Sequence, residues 1–383
     1  MGHTALVLGA GLGGISAAQA LRKALPAADR VVLVDRADEH VYQASLPWVL
    51  AGSREVSRIS RPTQRAARRG IEFVRGEVTA IDPAGRSANV DGRVLHADAL
   101  IVALGAEYDL GAVPGLAEAG HCFYTPQGAA SGRQALAAFA GGRIAVLTAT
   151  PQYKCPAAPY EAALLVDGEL RRRGLRAATQ IEFHAAEPGP MLTAGPEVSA
   201  ALRQILADHD IAYHPGRQIA AVDAAARRLR FADGAEAGYG LLIYVPPHRA
   251  PAPIRASGLG NDSGWIPVDR HTLATRFDGV YAIGDVVVLP LAMGRPLPKA
   301  GVFAHAQGEV VAHNIAVAWT GRGTPKRFDG VGACFIETGD GRAGMGQGDF
   351  FAEPLPDVKL RAPSRLWHGA KVLYEKYWLA SRF

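Results

Sequence analysis

Cysteine is scarce in this chain. The 383 residues hold three of them, an odd number without C-x-x-C spacing, which excludes a secreted disulfide framework and a structural zinc site. No metal centre is expected, and Cys122, Cys155 and Cys334 must each be weighed by their own surroundings. Long apolar runs are absent too: nothing approaches the roughly 18 to 20 consecutive apolar residues of a membrane-spanning helix. No leader-like segment precedes the first apolar strand, so the expectation is a chain that starts in the cytoplasm. Charge of one sign is also in short supply. A formal net charge of +5 over this length is modest, and the clusters Arg65, Arg68, Arg69 and Arg171, Arg172, Arg173 read as solvated helix faces. No nucleic-acid partner is implied, while an anionic membrane surface stays open.

What is present is the composition of a folded protein, with 49% apolar and 20% charged residues, in a length that predicts two or three domains. Thr4 to Leu8 reads as a buried parallel strand running into Gly9-Ala10-Gly11-Leu12-Gly13-Gly14 and a helical stretch, Ile15 to Ala24. Gly9 suits a tight turn, Gly11 a backbone that must approach a pyrophosphate, and Gly14 close helix–strand packing. A second apolar strand, Val31 to Val34, ends in Asp35, about 20 residues beyond the glycines, where an acid bonds ribose hydroxyls. The helix start would hold the phosphates.

Further on, Ala99 to Ala106 is a strand ending at Gly105, and Val280 to Asp285 is a strand ending in Gly284-Asp285. Glycine turn, middle strand and late Gly-Asp, in that order, resemble the flavoproteins with two dinucleotide domains. The resemblance implies FAD at the first site, with the Asp285 carboxylate on the ribitol at the head of a helix. A second nucleotide-binding unit should then open at Gly142 to Thr150. Instead of a glycine loop, the chain reads Ala149-Thr150-Pro151-Gln152-Tyr153-Lys154-Cys155-Pro156, which leaves no backbone able to approach a pyrophosphate, and NADH is not expected there. The redox C-x-x-x-x-C of glutathione-reductase-like enzymes is also missing, since Val41 to Leu50 has no cysteine.

Cys155 lies just before Pro159, which fits the first turn of a helix continuing through Leu164, Leu165 and Leu170. A helix dipole and Lys154 would favour its thiolate. Cys334 sits in a short apolar strand 179 positions later, so only the fold could join the two. Read locally, each could equally be an inert core thiol.

Lys154-Cys155-Pro156 with Ala158-Pro159 and Glu161, then Pro298-Lys299-Ala300-Gly301, then Cys334-Phe335, resemble the sulfide:quinone oxidoreductases, with the flavoprotein subunit of flavocytochrome c sulfide dehydrogenase as a near relative. The resemblance implies sulfide oxidation with electrons passed to a quinone. It makes Cys155 and Cys334 the redox pair facing the flavin and matches Cys122, by its place in the chain, to a third cysteine of many members. It sets Lys299 near the flavin pyrimidine, where a cation stabilises the charge of reduction, and makes Phe335 a candidate ring against a quinone. Glu161 is either a proton shuttle or a residue favoured in a first helical turn. His248 and His305 are candidate proton carriers or structural histidines.

Leu366, Trp367, Ala370, Leu373, Tyr374, Tyr377 and Trp378 fall at helical spacing near the end, with Lys371, Lys376 and Arg382 elsewhere around the helix. Such a helix suits the headgroup layer of a membrane, or it packs on its own domain or in a homo-oligomer. The expected architecture is α/β with two Rossmann-like domains: a discontinuous FAD domain, residues 1–108 and 248–320, a second domain, 109–247, and a small region, 321–383, facing quinone and membrane. Peripheral attachment to the cytoplasmic membrane follows. The rivals are a type II NADH:quinone oxidoreductase, a sulfide dehydrogenase donating to cytochrome c, and a non-catalytic redox sensor using Cys155.

Overall fold

The computed structural model describes residues 2–67 and 70–383, so Arg68 and Arg69 of the first arginine cluster lie outside the described residues. Strand β1 (Thr4–Leu8) leads through the glycine turn into helix α1 (Leu12–Ala24), and β2 (Arg30–Asp35), β3 (Glu72–Arg75) and β4 (Ala99–Val102) follow. The chain then builds a second parallel sheet from β5 (His121–Cys122), β6 (Gly142–Thr148), β7 (Thr179–Ala185), β8 (Ile211–His214) and β9 (Leu241–Val245), ordered β5-β9-β6-β7-β8. It returns with β10 (Val280–Ala282), which completes the first sheet in the order β10-β4-β1-β2-β3. The strands of both sheets run parallel. Near-continuous apolar strands such as Ala-Leu-Val-Leu and Ile-Ala-Val-Leu are what such sheets require, because helices cover both faces. The expected α/β fold with two dinucleotide-binding units is the one observed. The chain leaves the first sheet at Glu107–Tyr108 and comes back at His248–Arg249, and these two segments pair as an antiparallel ribbon.

In the second unit, helix α2 (Pro126–Ala138) precedes β6, and helix α3 (Ala158–Arg172) joins β6 to β7. Of the arginines near its end, Arg171 and Arg172 are exposed and pair with Asp167 and Glu169. Arg173 departs from the solvated reading: it donates to the carbonyls of Leu136, Ala137 and Phe139, tying α3 to the end of α2.

Helix α4 (Gly301–Thr320) packs on α1. Their approach depends on small residues, since a Cβ on Gly308 would lie 2.5 Å from the Gly13 carbonyl oxygen and one on Gly13 3.0 Å from that of Ala304. An antiparallel sheet follows, β11 (Val331–Glu337), β12 (Ala343–Asp349) and β13 (Asp357–Ser364), and the chain ends in α5 (Arg365–Ser381). Strand β11 packs on both α3 and α5, which is how residues separated by half the chain reach one place.

Candidate active site

Ligands of open α/β sheets bind beyond the carboxyl ends of the strands, and there the glycines do what their positions predict. Gly9 has φ +104° and its amide bonds the Val34 carbonyl at 2.8 Å. A Cβ on Gly14 would sit 1.8 Å from the Gly9 oxygen, whereas one on Gly11 would meet nothing within 4 Å. Gly14 is therefore needed for packing, and Gly11 borders open space at the head of α1. Asp35 lies at the end of β2, its carboxylate accepting from the amides of Ala10 and Ala37, which fixes it beside that opening. Gly105 has φ +69° and equally free surroundings. Gly284 has φ +75° and donates its amide to Gln307 Oε1 at 2.7 Å. The expectation that Gly284-Asp285 heads a helix needs correcting. The pair opens a single 3-10 turn, Gly284–Val286, and the long helix α4 starts only at Gly301.

Between that turn and α4 runs a cavity lined by Gly284, Val287, Lys299, Ala300, Ala304 and Gln307, among others. Lys299 Nζ donates to the carbonyls of Asp285 and Val287 at 2.6 and 2.9 Å and lies 3.6 Å from the centre of the Trp265 ring. Burial pushes its pKa down to about 8, against the pull of Asp285.

The Lys299 carbonyl, in turn, accepts the amide of Cys155 at 2.6 Å. The Cys155 loop is held from two further sides: Lys154 Nζ donates to Gln43 Oε1 at 2.7 Å, and Tyr124 Oη to the carbonyls of Lys154 and Cys155. Cys155 itself has φ +50°, a left-handed conformation costing about 1 to 2 kcal/mol without glycine.

Cys334, on β11, is half-buried like Cys155, and both are free thiols. The two lie near enough for the charge of one to act on the other. Burial and the neighbouring charge of Cys155 push Cys334 up to about 12. Burial also raises Cys155, although Lys371 and Lys154 pull it down. Sequence reasoning, which credited the helix dipole and Lys154 with favouring thiolate, underweighted desolvation. Cys155 precedes α3 by three residues, and the Ala158 amide at the helix start bonds its carbonyl and pulls its thiol down in part.

Cys122, at the edge of the second sheet, is buried and pushed up to about 11 by desolvation. Phe335 follows Cys334 on a regular strand and so faces the opposite side, where it is half-buried opposite Met345. Burial pushes His248 down to about 3 and its Nδ1 faces the Pro246 carbonyl, while burial also lowers His305, whose Nδ1 meets Ser16.

Glu161 lies buried in the first turn of α3, accepting the Glu337 amide at 3.1 Å and the ammonium of Lys371. Lys371 comes from α5, and burial pushes it down to about 7. Here the sequence reading of the tail fails in detail. Lys371, Glu375 and Trp378 point inward, and Leu366, Leu373 and Tyr377 point out. Glu375 accepts from Ser45 and Arg54, so the inward charges are paired. Sequence gave no warning of this, because a Lys and a Glu spaced i, i+4 look like a solvated face. Gln43, Arg54, Tyr124 and Lys371 were all missed.

At the corresponding edge of the second sheet, Glu187 takes three hydroxyls: Tyr153 at 2.5 Å, Tyr160 at 2.6 Å and Thr148 at 2.6 Å. An acid just past the second strand is where a dinucleotide ribose would bond. Here Thr148 of β6, Tyr153 of the turn and Tyr160 of α3 take up its oxygens.

With two such units on one chain, the architecture has a match: residues 3–308 fit the pyridine nucleotide-disulphide oxidoreductase family. The chain belongs to that family. Members are flavoproteins, and the open space at Gly11 and Gly105, the anchored Asp35 and the Gly284 turn fit FAD. The chain is 25% identical over 367 residues to the mitochondrial sulfide:quinone oxidoreductase of Mus musculus, covering 92% of this chain and 79% of that one. It is 24% identical to a type II NADH:quinone oxidoreductase of Staphylococcus aureus, covering 92% and 91%. In fold it is similar to the sulfide:quinone oxidoreductase of Aquifex aeolicus, with a TM-score of 0.89 at 22% identity, covering 99% and 91%.

Proposed function

We propose that this chain oxidises sulfide at Cys155 and Cys334 and passes the electrons through FAD to a quinone. One observation supports the reading: Cys155 and Cys334, far apart in sequence, are both half-buried and near enough for the charge of one to act on the other, and the Cys155 amide bonds the carbonyl of Lys299, which lines the cavity beside the Gly284 turn. Bound FAD supplies a two-electron acceptor able to hand electrons to a quinone.

Oxidised, the pair forms a bridge that sulfide cleaves, leaving a persulfide on one cysteine and a thiolate on the other. The better leaving thiolate is Cys155, because Lys371 and Lys154 stabilise its charge against Asp285, whereas Cys334 has no such cation among the described residues and the Cys155 charge opposes its ionisation. The persulfide therefore forms on Cys334. A second sulfide takes the outer sulfur away as a disulfanide ion, the start of a polysulfide, and re-forming the bridge releases two electrons and one proton. Glu161, Cys122 and Phe335 belong to this reading: Glu161 holds Lys371 near Cys155, Cys122 is the third thiol, and Phe335, on the face of β11 turned away from Cys334, is a ring for the quinone. The domain limits, 1–108 with 248–320, 109–247 and 321–383, belong to the same proposal. The outward Leu366, Leu373 and Tyr377 of α5 give it a peripheral membrane contact from the cytoplasmic side, and no helix among the described residues is long and apolar enough to cross.

The NADH route has the filled Glu187 site against it. Anaerobic mixing decides between them. Sulfide should bleach the flavin absorbance within seconds, a soluble quinone should restore it, and Cys155→Ser or Cys334→Ser should abolish the bleaching. Bleaching by NADH, indifferent to those substitutions, would overturn the proposal.

A further inference from the structure

A groove of about 540 Å³ runs between the segment following Trp48 and the flank of α5, lined by Arg54, Arg58, Arg61, His368, Glu375 and Lys376, among others. Its charges are not all accounted for internally. Arg54 is committed to Glu375 and His368 to Glu337. Arg58, Arg61 and Lys376 have no carboxylate partner among the described residues, and Arg61 Nη1 is pinned along the wall by the Ser60 carbonyl at 2.7 Å. Three uncompensated cations thus converge on one concave surface, where low-dielectric walls concentrate their field on an anion.

The place of the groove selects the anion. Leu366, Leu373 and Tyr377 stand at i, i+7 and i+11 along α5, on one face, and are 70%, 68% and 58% exposed. Lys376 adjoins that face and carries it over into the groove. A helix lying with this stripe among acyl chains keeps its polar flank at headgroup level. We infer that the groove binds the phosphate of an anionic phospholipid headgroup, through Arg58, Arg61 and Lys376, and so fixes the rotation of α5 at the membrane. This rests on the reading that the enzyme meets a membrane quinone, but it assigns a lipid site distinct from the thiol pocket.

Cosedimentation of the full-length holoprotein with vesicles of phosphatidylcholine alone, and with 30% phosphatidylglycerol, tests it. The mixed vesicles should bind on the order of 100-fold more tightly at low salt, from three basic residues at an anionic surface, and high salt should remove the difference. The triple variant Arg58→Ala, Arg61→Ala, Lys376→Ala should lose the preference while keeping its binding to neutral vesicles, its far-UV spectrum and its turnover with a soluble quinone. Equal binding to both vesicles, or a preference that survives the triple substitution, would refute the assignment. Displacement by millimolar inorganic phosphate as effective as by lipid would reassign the groove to a soluble anion and equally overturn it. Failure of sulfide turnover in the wild type would defeat the catalytic reading instead, and leaves the vesicle result standing.

Discussion

Lys371 and Glu161 form a buried ion pair across 210 positions of sequence. It joins the C-terminal helix to the first turn of the helix that follows Cys155, and it sets an ammonium close enough to that thiol to lower its pKa. The inward face of α5 thereby reaches the surroundings of Cys155, while its outward face carries the exposed Leu366, Leu373 and Tyr377.

Lys371→Met should accordingly do more than loosen a tail. An uncompensated Glu161 carboxylate left in the interior costs about 3 to 5 kcal/mol, and loss of the cation should raise the Cys155 thiol further. Chemical denaturation should show the stability loss, and adding Glu161→Gln to Lys371→Met should recover part of it, as contacting groups are not additive. A Glu161→Gln change with the same effect in the wild type as in Lys371→Met would show that the pair is not coupled.

The glycine turn offers a separation of folding from cofactor binding. Gly11→Val adds bulk into open space at the head of α1 and should leave a folded protein that purifies colourless. Gly14→Ala drives a Cβ to 1.8 Å from the Gly9 oxygen and should lower yield and melting temperature even with excess FAD. If Gly11→Val stays yellow, the pyrophosphate does not lie against that backbone.

Both outcomes were legible in the sequence because a parallel strand, a glycine turn and a helix are consecutive, and local spacing carries their geometry. The same holds for the Cys155 loop, whose lack of glycine was visible before the Glu187 hydroxyl cluster that fills the site. Long-range pairing is another matter. Lys371 and Glu375 look like solvent-facing charges until Glu161 and Arg54 are placed beside them. Trp378, which periodicity grouped with Leu366, belongs to the core. The thiol pKa values went astray for the same reason: a helix start and a lysine are local, whereas desolvation is a property of the whole pocket.

His184 and His248 contribute to the acid limb of stability, beside His40, which burial also lowers. Burial holds both His184 and His248 down at about 3, so between roughly pH 6.5 and pH 3 the unfolded chain binds protons that the native state refuses. Stability therefore rises with pH across that window and falls on acidification. Urea titrations from pH 7 to pH 4 should show His184→Phe flattening the slope by up to one proton, about 1.4 kcal/mol per pH unit. An unchanged slope would mean that His184 becomes protonated in the fold.

The thiols should titrate in the opposite range. With Cys334 at about 12 and Cys155 also raised, alkylation of the anaerobically reduced protein by iodoacetamide should be slow at pH 7 and climb up to at least pH 9.5, with Cys155 labelled ahead of Cys334. Mass spectrometry of the labelled peptides gives the order. A plateau near neutrality would reveal a thiolate that burial has not suppressed.

The two faces of α5 make contrasting claims on stability and surface. Trp378 is fully buried, with its ring edge-on to His305 at 5.7 Å and Arg382 lying 5.1 Å above it. Trp378→Ala should cost about 3 to 5 kcal/mol and make the last helix an early site of proteolysis. Leu373→Ser with Tyr377→Ser alters side chains that are mostly exposed, so stability should stay within about 0.5 kcal/mol per site. Binding to neutral vesicles should nevertheless weaken, because apolar area at the membrane contributes about 25 cal/mol per Å². The ratio of affinities for anionic and neutral vesicles should survive, since that ratio belongs to Arg58, Arg61 and Lys376. If the serine variant melts early, the stripe is packed against protein in solution, and the membrane contact must be sought elsewhere on the molecule.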